Sequence, residues 1–189
     1  MGDIKAAHAL MDDPQSSDGL IIRARLGLIE NTTKALIDAL QIKSDPRLWT
    51  LLGQFQDMEG QSMTARQSYA MAGLAGARPG LADNNIGQSF LTEGAFESAL
   101  KAFSKAAKAD PFDVQFDNNR RRVLINLGET HQAIAGLPPE RAAIFLEQAA
   151  DQAMVDREVK LAQYLYRKSL DLSPRYNPKV AEKLELAKH

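Results

Sequence analysis

Amides, rather than nucleophiles or metal ligands, are the polar side chains this sequence repeats at fixed spacing. The pair Asn84-Asn85 recurs as Asn118-Asn119 (118 − 84 = 34), and Arg120-Arg121-Arg122 follows directly. An amide side chain carries both a donor and an acceptor, so it can pair with the main chain of an extended peptide whatever that peptide's side chains are. Three consecutive arginines point round nearly the whole circumference of a helix and cannot converge on one ligand. They read as ion pairs plus one cation left to face a partner, ahead of a phosphate-binding patch. Catalytic groupings are missing: His8, His131 and His189 are far apart in sequence and have no spacing for a shared metal or a triad. Asp12-Asp13 are neighbours in a polar stretch and read as solvated surface. Gly76-Ala77-Arg78-Pro79-Gly80 lacks the Gly-Lys-Ser/Thr ending of a phosphate loop and reads as a connector. The expectation is a chain with no catalytic centre, no cofactor and no metal.

Composition narrows the partner class. With 23 basic and 24 acidic residues the formal net charge is −1, which gives no bulk attraction for nucleic acid or an anionic membrane. Cysteine is absent, so there are no disulfides and no thiolate metal sites. No apolar run approaches the roughly 20 residues that span a bilayer, and the first thirty or so residues lack the apolar core of a signal peptide. A soluble chain without membrane contact of its own is expected. The 189 residues are 6% aromatic and rich in Ala and Leu, as closely packed helices are.

The elements that would position these side chains repeat. From Gly80 to Asp113, apolar residues at helical spacing form two stripes, Ile86, Gly87 and Phe90, then Ala99, Phe103 and Ala106. Gly94 lies between the stripes and Asp110-Pro111 closes the unit. Subtracting 34 from Gly87, Gly94, Ala99, Phe103 and Ala106 gives Gly53, Gly60, Ala65, Tyr69 and Ala72, and adding 34 to Gly94 and Ala99 gives Gly128 and Ala133. Trp49, Leu52 and Phe55 read as core. Farther on, Ala162, Tyr166, Ser169 and Pro174 repeat the spacing of Ala99, Phe103, Ala106 and Pro111.

Helix pairs of 34 residues with this order of large and small side chains resemble the tetratricopeptide repeat. The resemblance implies an all-α fold, a right-handed superhelix of about four helix pairs and a C-terminal capping helix. Residues 1–18 are expected to form a loosely held arm and 19–189 a single domain. Within it, 19–45 is a degenerate first pair, with Asn31-Thr32-Thr33 supplying caps for its second helix. Repeats are expected over 46–79, 80–113, 114–142 and 143–176, and a final helix over 178–188, whose charged face meets water at the end of the stack. In the third repeat the second helix is cut short by Gly136-Leu137-Pro138-Pro139, and Arg120-Arg121-Arg122 stand where the central repeat has Ile86-Gly87-Gln88.

The run from Asn84 to Gly94, with Ala99, Asp110-Pro111, Asn118-Asn119, Arg121 and Gly128, is similar to the TadD family of the tight-adherence (Flp) pilus assembly system, which resembles bacterial pilotins. That similarity implies a protein of the bacterial cell envelope, periplasmic and associated with the outer membrane, that helps assemble a pilus or secretion pore by binding other proteins. The family commonly carries an export signal and a lipid-modified cysteine. Neither is in this sequence, which fits an N-terminally trimmed chain or a soluble, cytoplasmic relative.

In a tetratricopeptide stack the first helix of each pair lines a concave groove. The positions this assigns to the groove are Arg47, Thr50 and Gln54, then Asn84, Asn85 and Gln88, then Asn118, Asn119 and Arg122. They lack the lysines of the family's carboxylate clamp, which argues against an acidic chaperone tail and leaves Arg122 as the strong cation. Two readings of the asparagines stay open: they bind a partner, or they cap and cross-link neighbouring helices. At the level of the whole chain, the alternative to a peptide-binding scaffold is a structural or oligomerising module without a dedicated groove.

Overall fold

A computed structural model describes residues 16–175 and 177–188. Most of the expected arm, together with His8, Asp12, Asp13 and His189, lies outside the described residues. Among those described, eleven helices follow one another without a strand. The chain forms two compact units, one ending at Arg120 and the other beginning at Arg121.

The first unit opens with α1 (Ser17–Arg25) and α2 (Thr32–Ile42). The apolar pattern from Gly19 to Glu30 suggests a longer first helix. It ends early because Gly27 adopts φ 68°, where an L side chain would be strained, and the Leu28 N–H reaches back to the Arg23 carbonyl at 2.9 Å. The expected side-chain caps on α2 are not formed at its first residue. Asn31 takes a left-handed conformation with no side-chain cap, Thr32 Oγ1 donates to the Ile29 carbonyl, and Thr33 Oγ1 donates to Glu59. Leu20 and Ala24 of α1 and Leu36 and Leu40 of α2 close a core over Leu48, Leu51 and Leu52 of α3 (Pro46–Met58). Pro46 opens α3 where its missing N–H costs nothing, and Asp45 Oδ1 accepts from the Arg47 N–H at 2.8 Å.

Helix α3 pairs with α4 (Ser62–Leu74), and α5 (Leu81–Thr92) with α6 (Phe96–Ala109). Both pairs close on the same contact. A Cβ built on Gly53 would lie 2.5 Å from the Tyr69 ring, and one on Gly87 would lie 2.8 Å from the Phe103 ring. Only a residue without a side chain lets the first helix sit this near the aromatic of the second. Polar bonds then tie the pairs together. Asp57 of α3 accepts from the Tyr69 hydroxyl at 2.9 Å and from Ser89 Oγ of α5 at 2.8 Å, while Arg66 of α4 pairs with Glu93 at 2.8 Å and lies 4.3 Å over the Phe90 ring. Desolvation, and then the neighbouring Asp57, push the Tyr69 pKa up. The Ala77–Gly80 connector is fastened rather than free. Arg78 pairs with Asp113 at 2.7 Å and stacks over Phe116, which itself is buried against Gly80.

Helix α7 (Val114–Asn126) runs across the boundary between the units. Its pair partner α8 (Thr130–Ile134) has five residues, shortened as Gly136-Leu137-Pro138-Pro139 suggests. The next helix, α9 (Pro139–Val155), starts at Pro139, so the expected boundary between 142 and 143 falls inside a helix. The reason is local: proline is favoured at the first helical position, and Pro138 before it holds an extended backbone. Helix α9 pairs with α10 (Val159–Leu172), and α11 (Pro178–Leu186) packs on α10 with Val180 buried. Lys183 of α11 reaches Glu147 at 2.9 Å and Asp151 at 2.7 Å on α9, and Asp151 also accepts from the Tyr166 hydroxyl at 2.7 Å.

Candidate partner-binding surface

The nine positions assigned to a groove lie on α3, α5 and α7 and divide by what they already hold. Arg47 is exposed, yet its guanidinium grips Asp45 (Nη2–Oδ2 2.8 Å) and also reaches Asp18. Hydrogen bonds to these two carboxylates push its pKa up. Thr50 Oγ1 donates to the Pro46 carbonyl at 2.8 Å, one turn back in its own helix. Gln54 and Gln88 are exposed. Arg122 is also exposed, and it lies in the second unit.

The four asparagines are half-buried. Asn119 Nδ2 donates to Asn84 Oδ1 at 2.8 Å, joining α7 to α5, and Asn84 Nδ2 lies 3.5 Å from Asn85 Oδ1. The first members of the two pairs therefore do not play one role. Asn84 and Asn119 are spent on a bond between helices, whereas Asn85 keeps its amide N–H₂ and Asn118 is outside this bond.

The three arginines separate as helical geometry requires. Arg120 pairs with Asp117 at 2.7 Å one turn back. Arg121 is buried, with Nη1 2.5 Å from the Ala133 carbonyl and 3.1 Å from the Ala135 carbonyl. It occupies the repeat position of Gly53 and Gly87 (87 + 34 = 121). Where α8 stops short, no aromatic ring follows in helical register, and the guanidinium takes up the last carbonyls of the short helix instead. The sequence held a signal for this, since a charge at a position that repeats as glycine has to find buried partners, but the partners are carbonyls that sequence spacing does not display.

Two clefts of about 320 Å³ and 430 Å³ contain none of the nine positions. The first is lined by Leu20, Ala39, Ile42 and Leu48 and the second by Glu140, Ile144, Ser173 and Arg175, among others. Among the described residues no group of three or more His, Asp or Glu side chains is placed to hold a metal ion. His131 is exposed on α8. Among the described residues no helix is long and apolar enough to cross a membrane.

No protein-family model and no curated protein matches the sequence. Solved structures do match the fold. YrrB, described as a tetratricopeptide-repeat protein with an unusual peptide-binding site, aligns with a TM-score of 0.58 at 14% identity, covering 95% of this chain and 96% of its own. PilF of Pseudomonas aeruginosa gives 0.57 at 17% identity, with 99% and 89% covered. A thermophilic tetratricopeptide-repeat protein of Thermus thermophilus gives 0.54 at 17% identity, with 89% and 95% covered. The recurring glycine-on-aromatic contact and these alignments agree on the architecture: the chain has the tetratricopeptide-repeat fold.

Proposed function

We propose that this chain is a protein-interaction scaffold whose first helices bind an extended peptide or partner protein, and that it does no chemistry on what it binds. The observation that carries the reading is the row of amides on α5 and α7: four half-buried asparagines, two of them fixed by the Asn119–Asn84 bond. A partly exposed amide outside that bond still offers a donor and an acceptor to a peptide main chain. Asn85 and Asn118 make the contact in this reading, with Gln54 and Gln88 of the same unit exposed for the partner's side chains. Arg47, held by two carboxylates, contributes less.

The narrower placement is in assembly of a Flp pilus or a secretion pore at the bacterial cell envelope. Its support is the similarity of residues 80–133 to the TadD family; the alignments with solved structures, at 14–17% identity, support the fold alone. The test is co-expression of the chain with tight-adherence pilus assembly proteins, followed by co-purification. Asn85→Ala with Asn118→Ala is expected to weaken the captured complex about tenfold or more while the melting midpoint holds, since neither amide carries the inter-helix bond. Retention of full binding by that double variant removes the groove reading. Failure of every tight-adherence protein to co-purify removes the pilus placement.

A further inference from the structure

The second helix of each pair turns one face to its partner and another outward, and the repeat allows the outward faces to be compared position by position. On α4 the inward residues are Ala65, Ser68, Tyr69 and Ala72, all buried. The opposite stripe, at helical spacing, is Met63, Gln67, Ala70, Met71 and Leu74. Met63 is 71% exposed and Leu74 82%. Adding 34 gives the same positions on α6: Glu97, Lys101, Ser104, Lys105 and Lys108. The register set by Ala162 on α10 gives Lys160, Tyr164, Arg167, Lys168 and Asp171. The fold therefore does not require apolar side chains here, because two sister helices fill these positions largely with charge. On α4 the one charged residue, Arg66, is turned to Glu93 and Phe90 of α5. What remains outward is uncharged, thioether-rich and unpartnered.

We infer that the outward face of α4 is a self-association surface, on which a second copy of this chain packs antiparallel about a two-fold axis. A surface that meets its own copy must be complementary to itself. A row such as Lys101-Lys105-Lys108 would face its own charge, whereas the α4 stripe sets no like charges together. Its side-chain sizes also fit an antiparallel register. A two-fold axis between residues 68 and 69 places Met63 against Leu74 of the second copy (63 + 74 = 137) and Gln67 against Ala70 (67 + 70 = 137), so a long side chain meets a small one at the centre. Three helical turns from each copy bury on the order of 1,000 Å² in total, at the lower edge of specific interfaces, so the dimer is a weak and concentration-dependent one.

Sedimentation equilibrium across the micromolar range tests this on the chain itself. Wild type is expected to be a reversible dimer. Leu74→Glu, at an exposed site, is expected to weaken dimerisation about tenfold or more without shifting the thermal midpoint. Adding Met63→Lys to Leu74→Glu is expected to restore the dimer, because the register sets each lysine against the other copy's glutamate. The native chain has no cysteine. Ala70→Cys is therefore expected to form a covalent dimer with a short bismaleimide, while Ser104→Cys on α6 stays monomeric, and this measurement decides the matter even where Leu74→Glu fails to fold. A wild type that stays monomeric overturns the inference and leaves the face to another protein or a lipid surface. A dimer indifferent to Leu74→Glu, or one that Met63→Lys fails to restore, also overturns it. Asn85→Ala with Asn118→Ala leaves the dimer intact, so loss of partner binding and loss of self-association are read separately.

Discussion

Asn119 donates from its side-chain amide to the side-chain oxygen of Asn84 at 2.8 Å, so the two recurring asparagine pairs touch each other rather than standing in separate rows. A half-buried hydrogen bond of this kind contributes about 1 kcal/mol net. Asn119→Ala is expected to cost about that much, and Asn84→Ala a similar amount. Because the two variants break one bond, a double-mutant cycle should give a coupling of about 0.5–1.5 kcal/mol rather than simple additivity. Denaturant melts of the four proteins provide the measurement, and an additive cycle would show that the bond does not hold α5 to α7 in solution.

The glycine-on-aromatic contact is the next point of stress. Gly87→Ala gains helix propensity of about 1 kcal/mol but drives a methyl group into the Phe103 ring, where the nearest atom stands 2.8 Å from the new Cβ. Phe103 is fully buried and has little room to yield, and overpacking of this kind costs about 1–3 kcal/mol. Net destabilisation is expected, with part of it recovered in Gly87→Ala with Phe103→Leu, where the ring is gone. A rise in melting midpoint for Gly87→Ala alone would mean the pair opens freely at this contact.

The residue types of this contact recur every 34 residues, Gly53 with Tyr69 and Gly87 with Phe103, but spacing alone does not say that the glycine meets the ring. The helix pairs follow from that periodicity. What the offset cannot display is where a polar side chain goes when its repeat partner is missing. Arg121 reads as one of three consecutive arginines, and its partners, the Ala133 and Ala135 carbonyls, are not displayed by spacing even where α8 is expected to be short. The start of α9 at Pro139 is of the same kind, a local preference of proline overriding a boundary counted from the repeat. Asn84 and Asn119 read equally well as binding or architectural residues, since amide chemistry permits both, and spacing does not show that their side chains meet at 2.8 Å. The α4 stripe was present in the sequence by the same subtraction of 34. Its meaning depends on exposure, which periodicity does not report.

Arg121 yields the third expectation. Its guanidinium serves the Ala133 and Ala135 carbonyls at the end of α8, and hydrogen bonds from a charged donor contribute about 1.5–3 kcal/mol. Arg121→Met keeps the apolar stem and removes the donors, so a loss within that range is expected. Arg121→Lys should recover only part of it, because an ammonium lacks the planar fork that spans two acceptors. Thermal melts with hydrogen exchange on residues 130–136 would report both effects. Equal stability of wild type and Arg121→Met would remove the guanidinium from the account of this unit.

The last expectation concerns acid and the start of α3. Asp45 is buried to 7% exposure, caps the helix by accepting from the Arg47 N–H, and receives the Arg47 guanidinium on both carboxylate oxygens. The Arg47 side-chain hydrogen bonds come first among the causes that hold its pKa below the ordinary value of 3.8, against a desolvation effect of opposite sign. A carboxyl whose pKa is lower in the folded chain than in the unfolded one stabilises the fold fully above the unfolded value. That contribution fades as pH falls through the folded value, where the native state must also take up the proton. Asp45→Asn keeps an oxygen able to cap the helix but never carries the charge, so it isolates the ionic part. At neutral pH wild type should melt above Asp45→Asn. The gap should stay constant down to about pH 4 and close below it, as protonation makes the two side chains alike. Circular-dichroism melts of both proteins from pH 7 to about pH 2 carry the test. A gap that persists undiminished at the lowest pH would show that Asp45 acts through its shape and its cap alone, and that the Arg47 charge adds nothing to the fold.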